Sequence, residues 1–376
     1  MAAVSYALFI DGLPAGPDLL AAIRQIEVED HADMADMVRM QVIIGIQDGC
    51  SGWSVVDEDI FARLTRLRID VTIGSGRPET LINAYVVETN ATFANQPGSS
   101  ILNVVAMDPT VLMNLDERVK AWPNMSDSDV ANSIFSSPDY RFTPVLDQTS
   151  WRRQENDQTL MQRGTDMQLL QQLAERNGYE VYVETNGLTG QVEGHFHSPR
   201  LTQPPQGTLS VNMRDATNVN SFNARNDMLR PAAADATNLD VASRENQQSE
   251  ATTAALPALG AQSSLASPQQ RRVLPSRTGL MRTGELKTYA QAVADRTALS
   301  ITAEGQLNTV AYGGLMRAKR PIMVRGAGRQ FSGTYYVQRV NHVLTPDSYS
   351  QSFSLVRNAT GLSGSESFIP STALSA

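Results

Sequence analysis

The sequence contains a single cysteine, Cys50, and this excludes an internal disulfide bond. It also lacks the CxxC pairs that bind zinc or exchange disulfides. Because Cys50 lies near Gly49 and Gly52, we interpret it as a loop thiol. Aromatic residues make up only 6% of the chain, which disfavours stacking on sugars and therefore a carbohydrate- or receptor-binding β protein.

Basic residues are in the minority, and the net charge is −8. This balance argues against a specific nucleic-acid site and against binding to anionic membranes. The N-terminus has no cationic segment and reaches Asp11 too early for a signal peptide. No run approaches the ~20 apolar residues of a membrane span. We therefore expect no membrane anchor and assembly in a cytoplasm.

A strand pattern occurs twice in this chain of 376 residues, a length that predicts two or three domains. Residues 67–108 and 321–358 each contain a short alternating strand, a glycine pair, a long alternating strand, a polar turn and a last strand. The glycine pairs are Gly74 with Gly76 and Gly326 with Gly328. The repeat predicts the same small β-barrel or sandwich near each end, which indicates architecture rather than catalysis. The alternation slips near Arg339, as at a β-bulge.

The middle of the chain has helical signals instead. Ser126 and Asp129 form a variant of the capping box, and Thr165 with Gln168 forms a second one before an amphipathic helix that Gly178 ends. Two strands joined by a turn at Asn186-Gly187 follow that helix. The fold class is thus α+β, mainly β, with a helix–hairpin module between the two repeats.

Several polar groups have the residue types of a functional site. His195 and His197 lie two apart on a predicted strand and share a face with Glu193, as the ligands of a zinc-dependent hydrolase would. Polar residues on the wet face of a strand explain the same spacing, and we favour that reading. His342 is interpreted as a packed strand histidine. We expect no catalytic, cofactor-binding or metal-binding residue, no cofactor and no enzymatic activity.

Two charged segments are also present. The acidic segment lacks the ligand spacing of an EF-hand and predicts a solvated edge; its members are Glu27, Glu29, Asp30, His31, Asp33 and Asp36. The segment from Arg317 to Arg329 is strongly positive and is expected to meet acidic neighbours. The glycine-rich TIGSG and RGAGR stretches open no helix and lack a P-loop lysine, so phosphate binding has little support.

The motifs MQLLQQLAERNGYEVYV, FIDG followed by IRQIEVED, and the ending from AKRPIMVRGAGR to SLVRNATG occur in a particular order. In that order they resemble the baseplate hub proteins of contractile phage tails. This is the late control gene D family, which includes the N-terminal part of VgrG spikes. The resemblance covers most of residues 1–360 and is weakest over 243–285.

The resemblance implies a domain plan of two tail-tube-like β-barrels that form a ring. The first barrel would span 1–108, and the helix–hairpin module 109–205. The second barrel would combine 206–242 with 286–360. Residues 243–285, poor in large apolar groups, are expected to be a flexible insertion or arm, and 361–376 a flexible tail.

The resemblance also implies a structural role. Three chains would form a homotrimer with pseudo-sixfold symmetry that joins the sixfold tail tube to the threefold central spike and nucleates the tube. The partners would be the tail tube protein, the central spike protein and other baseplate proteins. VgrG chains continue into a spike, whereas this sequence ends soon after the second repeat, so we expect a separate spike. This favours the baseplate of a virion tail, or a tailocin or injection particle, assembled in the bacterial host cytoplasm.

Overall fold

The computed structural model describes residues 4–46, 52–96, 98–156, 159–186, 189–239, 244–267, 269–275, 283–364 and 366–368. The protein is mainly β, with 44% strand and 17% helix, as the sequence predicts. No helix among the described residues is long and apolar enough to cross a bilayer. The expected loop at Cys50 lies outside the described residues, as does most of the expected tail.

The first part of the chain consists of seven strands of one sheet, with one short helix between the second and third. Its strands alternate buried and exposed side chains, as in β4, where Val38, Met40 and Val42 point into the core. The elements are β1 (Val4–Ile10), β2 (Leu13–Pro14), α1 (Pro17–Ala22), β3 (Ile23–His31), β4 (Met37–Ile43), β5 (Arg66–Ile73), β6 (Glu79–Thr92) and β7 (Ile101–Met107).

The middle part packs two helices on small sheets. Both capping boxes predicted at Ser126 and Thr165 are present, and Gly178 ends the second helix with φ 68°. The elements are the 3₁₀ helix Pro109–Asn114, β8 (Glu117–Trp122), α2 (Asp127–Phe135), β9 (Thr143–Leu146), β10 (Leu160–Thr165), α3 (Asp166–Asn177), β11 (Glu180–Thr185) and β12 (Val192–His197).

The last part contains the second copy of the strand pattern and an additional small sheet. Its elements are β13 (Thr208–Ser210), the 3₁₀ helix Arg214–Ala216, β14 (Val219–Asn226), β15 (Ala232–Leu239), β16 (Asn246–Ala251), β17 (Gln262–Ser263), β18 (Arg271–Val273), α4 (Thr283–Ala298), β19 (Ile301–Leu307), α5 (Thr309–Tyr312), β20 (Pro321–Arg325), α6 (Gly328–Phe331), β21 (Gly333–Leu344), β22 (Tyr349–Arg357) and β23 (Ala359–Thr360).

Residues 243–285 differ from the expected flexible insertion. Their described part contains β16, β17 and β18, and β16 and β18 pair with β15 beneath α4. The core between sheet and helix consists largely of alanines, including Ala234, Ala251 and Ala290. Small side chains let the helix approach the sheet closely, so the segment packs without the large apolar residues whose scarcity predicted mobility.

One sheet of thirteen strands joins both copies of the repeat. The first copy pairs in the order β3-β4-β7-β6-β5-β1, and the second in the order β14-β19-β22-β21-β20-β13. These orders correspond strand by strand, except that β1 runs antiparallel to β5 whereas β13 runs parallel to β20. The described strands do not close into a barrel. β21 extends past β20 and pairs with β3, which joins the two halves into one sheet.

Two irregularities of the first half have counterparts in the second, whereas the shift between Ile69 and Asp70 in the β5–β6 ladder has none in the β20–β21 ladder. The ladder between β6 and β7 shifts register between Val86 and Glu88, and the ladder between β21 and β22 shifts between Val337 and Arg339. The second shift is the bulge predicted near Arg339. A further matched pair of shifts occurs in β3 and β14. Shared pairing order and shared bulges indicate a structural duplication.

Candidate assembly interface

The two halves meet along a ladder between β21 and β3. The pairs run from Arg339 opposite His31 to Leu344 opposite Ile26. His342 lies within this ladder, fully buried, with Nδ1 2.8 Å from the Tyr349 hydroxyl. It is therefore a packed strand histidine, as the sequence predicts.

A buried ion cluster lies beside this ladder. Lys319 Nζ is 2.8 Å from Asp30 Oδ1 and 2.9 Å from Asp36 Oδ2, and the Lys319 side chain is only 4% exposed. The backbone N–H of Ala318 also donates to Asp30. Asp30 and Asp36 thus belong to a cluster that crosses between the halves, and the prediction of a solvated acidic edge is wrong for these two residues. Asp33 is exposed, as expected.

The protonation of this cluster follows from burial and from one cation. The two carboxylates hold the pKa of Lys319 well above its usual value, so it is charged. Lys319 holds the pKa of Asp30 well below its usual range, despite the opposing effect of burial. Burial raises the pKa of Asp36 to about 8 and raises that of Asp108 as well. One lysinium and one aspartate therefore balance, while burial favours the neutral form of Asp36 below a pH of about 8.

The positive segment finds its partners within the chain. Besides Lys319, the Arg317 guanidinium donates to the backbone carbonyls of Thr80 and Leu81 at the start of β6. Within residues 317–329, Lys319 thus meets acidic neighbours, Asp30 and Asp36 of the first half, whereas Arg320 and Arg329 are exposed. The glycine-rich stretches form turns, where Gly74 and Gly326 both have positive φ. Contrary to expectation, RGAGR leads into a helix, the single turn α6 that begins at Gly328.

One strand edge that is paired in the second half has no partner strand in the described part of the first half. Past its bulge, β6 corresponds to the part of β21 that pairs with β3, yet β6 pairs there with β7 alone among the described strands. Asp108 N–H donates to Asp36 O, so the even-numbered residues of β7 direct their backbone N–H and C=O groups to β4 and the odd-numbered ones to β6. The β6 residues opposite those odd-numbered residues bond back to β7. The N–H and C=O groups of Thr89 and Ala91, which alternate with them, therefore point to the open edge. Phe93, at its end, is 54% exposed.

The other end of the sheet has a second open edge. β14 corresponds to β3 and pairs with β19, but no other described strand pairs with it. Because Asp227 N–H donates to Ser300 O, the N–H and C=O groups of Ala224 and Asn226 point outward. Leu229, just beyond β14, is 79% exposed. Exposed strand edges of this kind recruit other strands.

The candidate metal ligands lie on the hairpin of β11 and β12. His195 Nε2 is 3.5 Å from Glu193 Oε2 and 3.6 Å from Glu184 Oε1. His197 does not join them; its Nε2 lies 3.3 Å from His195 Nδ1. Burial lowers the pKa of His195 to about 3, so the ring is neutral at pH 7. Buried histidines on this strand correct the expectation of a wet face.

Glu184 was missed by the sequence analysis. It lies directly opposite Glu193 in the β11–β12 ladder, beyond which Asn186 N–H donates to Gln191 O and Gly190 N–H donates to Asn186 O. Gly187 of the predicted Asn186-Gly187 turn lies outside the described residues. A strand-to-strand register depends on the turn, so spacing along β12 alone could not identify the third residue.

Comparisons with known proteins give one matching family and a set of similar structures. A family model described as the Alg8 N-terminal domain matches residues 4–346. No curated protein matches the chain. Among solved structures, it is similar to the tail protein from Neisseria meningitidis, with 12% identity and a TM-score of 0.62 over 94% of this chain and 96% of that one.

Two further structures have the same fold. The 43 kDa tail protein of prophage MuSo2 from Shewanella oneidensis has 14% identity and a TM-score of 0.63, over 94% of this chain and 98% of that one. An Escherichia coli component of the type VI secretion system, described as similar to phage T4 tail proteins, has 12% identity and a TM-score of 0.57, over 96% and 80% of the two chains. At these identities the similarity establishes the fold.

Proposed function

The chain belongs to the family of the Alg8 N-terminal domain, and we propose that it is the structural baseplate hub of a contractile tail. In this proposal three chains form a closed ring, and their six sheet halves present six similar units. One face of the ring seats the sixfold tail tube and the other seats the threefold central spike. The hub would nucleate the tube, and its function is assembly rather than catalysis.

The observation that carries the proposal is the match between the internal junction and the two open edges. Within the chain, β21 of the second half pairs with β3 of the first. The open edges are β6, the equivalent of β21, and β14, the equivalent of β3. A neighbouring chain can therefore repeat the internal junction by pairing its β14 with this β6. Heterologous contacts of this kind close into rings when the rotation permits.

The internal register predicts the register between chains. His342 follows Val337 by five positions, as Ala91 follows Val86, so His342 and Ala91 correspond. Val28 follows Gln25 by three positions, as Ala224 follows Ser221. Since His342 pairs with Val28, Ala91 should face Ala224 of the neighbour. By the same register Asn90 should face Arg225.

The test is a cysteine pair at Asn90 and Arg225, both exposed. This pair is of the non-hydrogen-bonded type, in which Cα atoms lie about 4.5 Å apart and can form a disulfide. Cys50→Ser removes the native thiol. We expect Asn90→Cys/Arg225→Cys chains to form covalent dimers and trimers under mild oxidation, and no larger species because the ring is closed. End-on electron micrographs should show six lobes.

A matched control places the second thiol on the same strand face but out of register. In Asn90→Cys/Ser221→Cys the thiols would be about 13 Å apart, given a rise of about 3.3 Å per residue. This variant should stay uncrosslinked. Equal crosslinking of both variants would indicate random collision, and monomers in both would reject pairing between chains under these conditions. Co-expression with a tube protein then tests whether the hub needs its partner to assemble.

A component of an extracellular injection or type VI particle is the alternative host assembly. The similarity to an Escherichia coli type VI secretion component supports it. The ring geometry is the same in both cases. Purifying the particle from the producing cells and identifying the proteins that copurify with this chain would distinguish a phage tail from an injection particle.

A further inference from the structure

Two carboxylates face each other on the hairpin of β11 and β12. Glu184 and Glu193 are directly opposite in the antiparallel ladder. Like charges at such positions destabilise a sheet unless something compensates them. His195, two residues after Glu193, points its Nε2 between them, and the three ligand atoms lie within 4.8 Å of one another. The arrangement brings one nitrogen and two oxygens to a single point.

The hydrogen bonds around the two histidines fix the tautomer of His195. His197 Nδ1 lies 2.8 Å from the Ser198 carbonyl, which can only accept, so Nδ1 carries the proton. His197 Nε2 is then an acceptor that faces two groups, the Tyr182 hydroxyl at 3.2 Å and His195 Nδ1 at 3.3 Å. A lone pair on His195 Nδ1 would repel the lone pair on His197 Nε2, so His195 carries its proton at Nδ1 and its lone pair at Nε2.

That lone pair is buried and has no hydrogen-bond partner among the described residues. His195 is 6% exposed, and its Nε2 makes no hydrogen bond although two carboxylate oxygens lie at 3.5 and 3.6 Å. Three electron-pair donors facing one another repel in the absence of a positive species. An imidazole nitrogen and carboxylate oxygens are ligands that Zn²⁺ prefers.

We propose that Glu184, Glu193 and His195 bind a zinc ion. Bonds of about 2.0–2.2 Å place two ligands of a tetrahedral ion about 3.4 Å apart, so the contacts of His195 Nε2 at 3.5 and 3.6 Å need little adjustment. Outer partners are in place: His197 accepts from His195, and Asn186 Nδ2 donates to Glu193 Oε1 at 2.9 Å. Such partners orient metal ligands. The ion bridges the two strands of a hairpin whose Thr185 contacts Asn83 of the first half at 2.9 Å.

The full chain, stripped with a chelator, is titrated with Zn²⁺ by calorimetry and melted with and without Zn²⁺. We expect one ion per chain and a higher Tm in zinc, since a ligand that binds the folded state stabilises it. In Glu184→Gln/Glu193→Gln, zinc binding should weaken at least 100-fold. The zinc-free Tm of this variant should rise, because the carboxylate repulsion is removed. The control Glu117→Gln/Glu175→Gln changes two exposed glutamates elsewhere.

Two milder variants keep the test informative if the double variant folds poorly. Glu193→Asp retains the charge but shortens the ligand, and should weaken binding while the fold is preserved. His197→Gln removes an orienting partner and should weaken binding about 10- to 100-fold. A doubly protonated His195 that pairs with both carboxylates is the competing explanation. It predicts no zinc binding and a lower Tm in the double glutamine variant, and that result overturns the proposal, as does unchanged zinc binding.

Discussion

At the scale of single residues, the junction between the halves depends on one buried cation. Lys319 is the lysine that faces Asp30 and Asp36, and its side chain is almost fully buried. A buried ion pair is a weak source of net stability, but removal of one partner leaves an uncompensated charge in a poorly solvated place. The loss of Lys319 should therefore cost much more than the loss of a surface lysine.

Lys319→Met tests this asymmetry. We expect the free energy of unfolding to fall by about 3–5 kcal/mol, measured by urea denaturation, because the Asp30 carboxylate loses its counter-ion. Lys287→Met changes an exposed lysine on α4 and should cost less than ~0.5 kcal/mol. Similar effects in both variants would mean that the cluster is hydrated in solution and that Lys319 does not hold the halves together.

Glu180 gives a pH-dependent prediction. It is buried, with Oε2 2.6 Å from the Tyr336 hydroxyl, and burial raises its pKa to about 8. The folded state thus keeps a proton that the unfolded carboxyl loses near pH 4.3. Its contribution to stability is complete below that pH and is lost as the pH rises towards about 8, at up to about 1.4 kcal/mol per unit.

Glu180→Gln retains the acceptor for Tyr336 but cannot titrate. Urea denaturation from pH 5 to 8 should show a shallower fall in stability for this variant than for the wild-type chain. Glu117→Gln, at an exposed position, should follow the wild-type profile. Parallel profiles for Glu180→Gln and the wild type would show that Glu180 has an ordinary pKa in the folded protein.

These residue-scale interactions could not be predicted from the sequence. Lys319 and Asp30 are 289 positions apart, and nothing near Asp30 distinguishes it from the exposed Asp33. Burial of an acid is decided by which strand of the other half lies over it. By contrast, the sequence predicts the environment of His342. A histidine inside a strand, with no other histidine or cysteine nearby, is usually packed among its neighbours, and His342 is fully buried.

At the scale of elements, the sequence predicts those features whose ends or irregularities are marked by nearby residues. The caps at Ser126 and Thr165 and the bulge near Arg339 are encoded within a few residues, and all three are present. Residues 243–285 have no such signals. Their strands depend on α4, which lies later in the chain and covers an alanine-rich sheet, so composition alone indicated mobility.

Thr165→Ala tests the cap of α3. The hydroxyl accepts from Gln168 N–H at 3.2 Å and donates to Asn114 Oδ1 at 2.8 Å. Its loss should lower the free energy of unfolding by about 1–2 kcal/mol. Hydrogen exchange at the Gln168 amide should accelerate as well. Thr165→Ser keeps the hydroxyl and should retain most of the stability; if it is as unstable as the alanine variant, the methyl group rather than the cap is responsible.

At the scale of the whole molecule, the duplication explains why one chain has one filled junction and two open edges. The sequence predicts the duplication, because the repeated strand order is visible in it. It does not predict that the halves share one sheet, since the extension of β21 past β20 is a matter of register. A ring built on these edges has interfaces of the heterologous type, in which β6 of one chain meets β14 of the next.

Proline substitutions can close each edge separately. The N–H groups of Ala91 and Ala224 point to the open edges, so Ala91→Pro and Ala224→Pro remove an outward donor and leave the ladders within the chain intact. The Ala91→Pro chain keeps an intact β14 edge, and the Ala224→Pro chain keeps an intact β6 edge. In a solution of one variant, the complementary edge on every other chain is blocked. We therefore expect both purified variants to be monomers by light scattering, with unchanged circular dichroism.

Mixing the two variants distinguishes the kind of interface. A chain with Ala91→Pro keeps an intact β14, and a chain with Ala224→Pro keeps an intact β6, so one good junction can form between them. The remaining edges are both blocked, and the mixture should stop at dimers instead of closing a ring. If β6 instead paired with β6 of another chain, Ala224→Pro alone would already form dimers. That result would reject the proposed ring while leaving the fold unchanged.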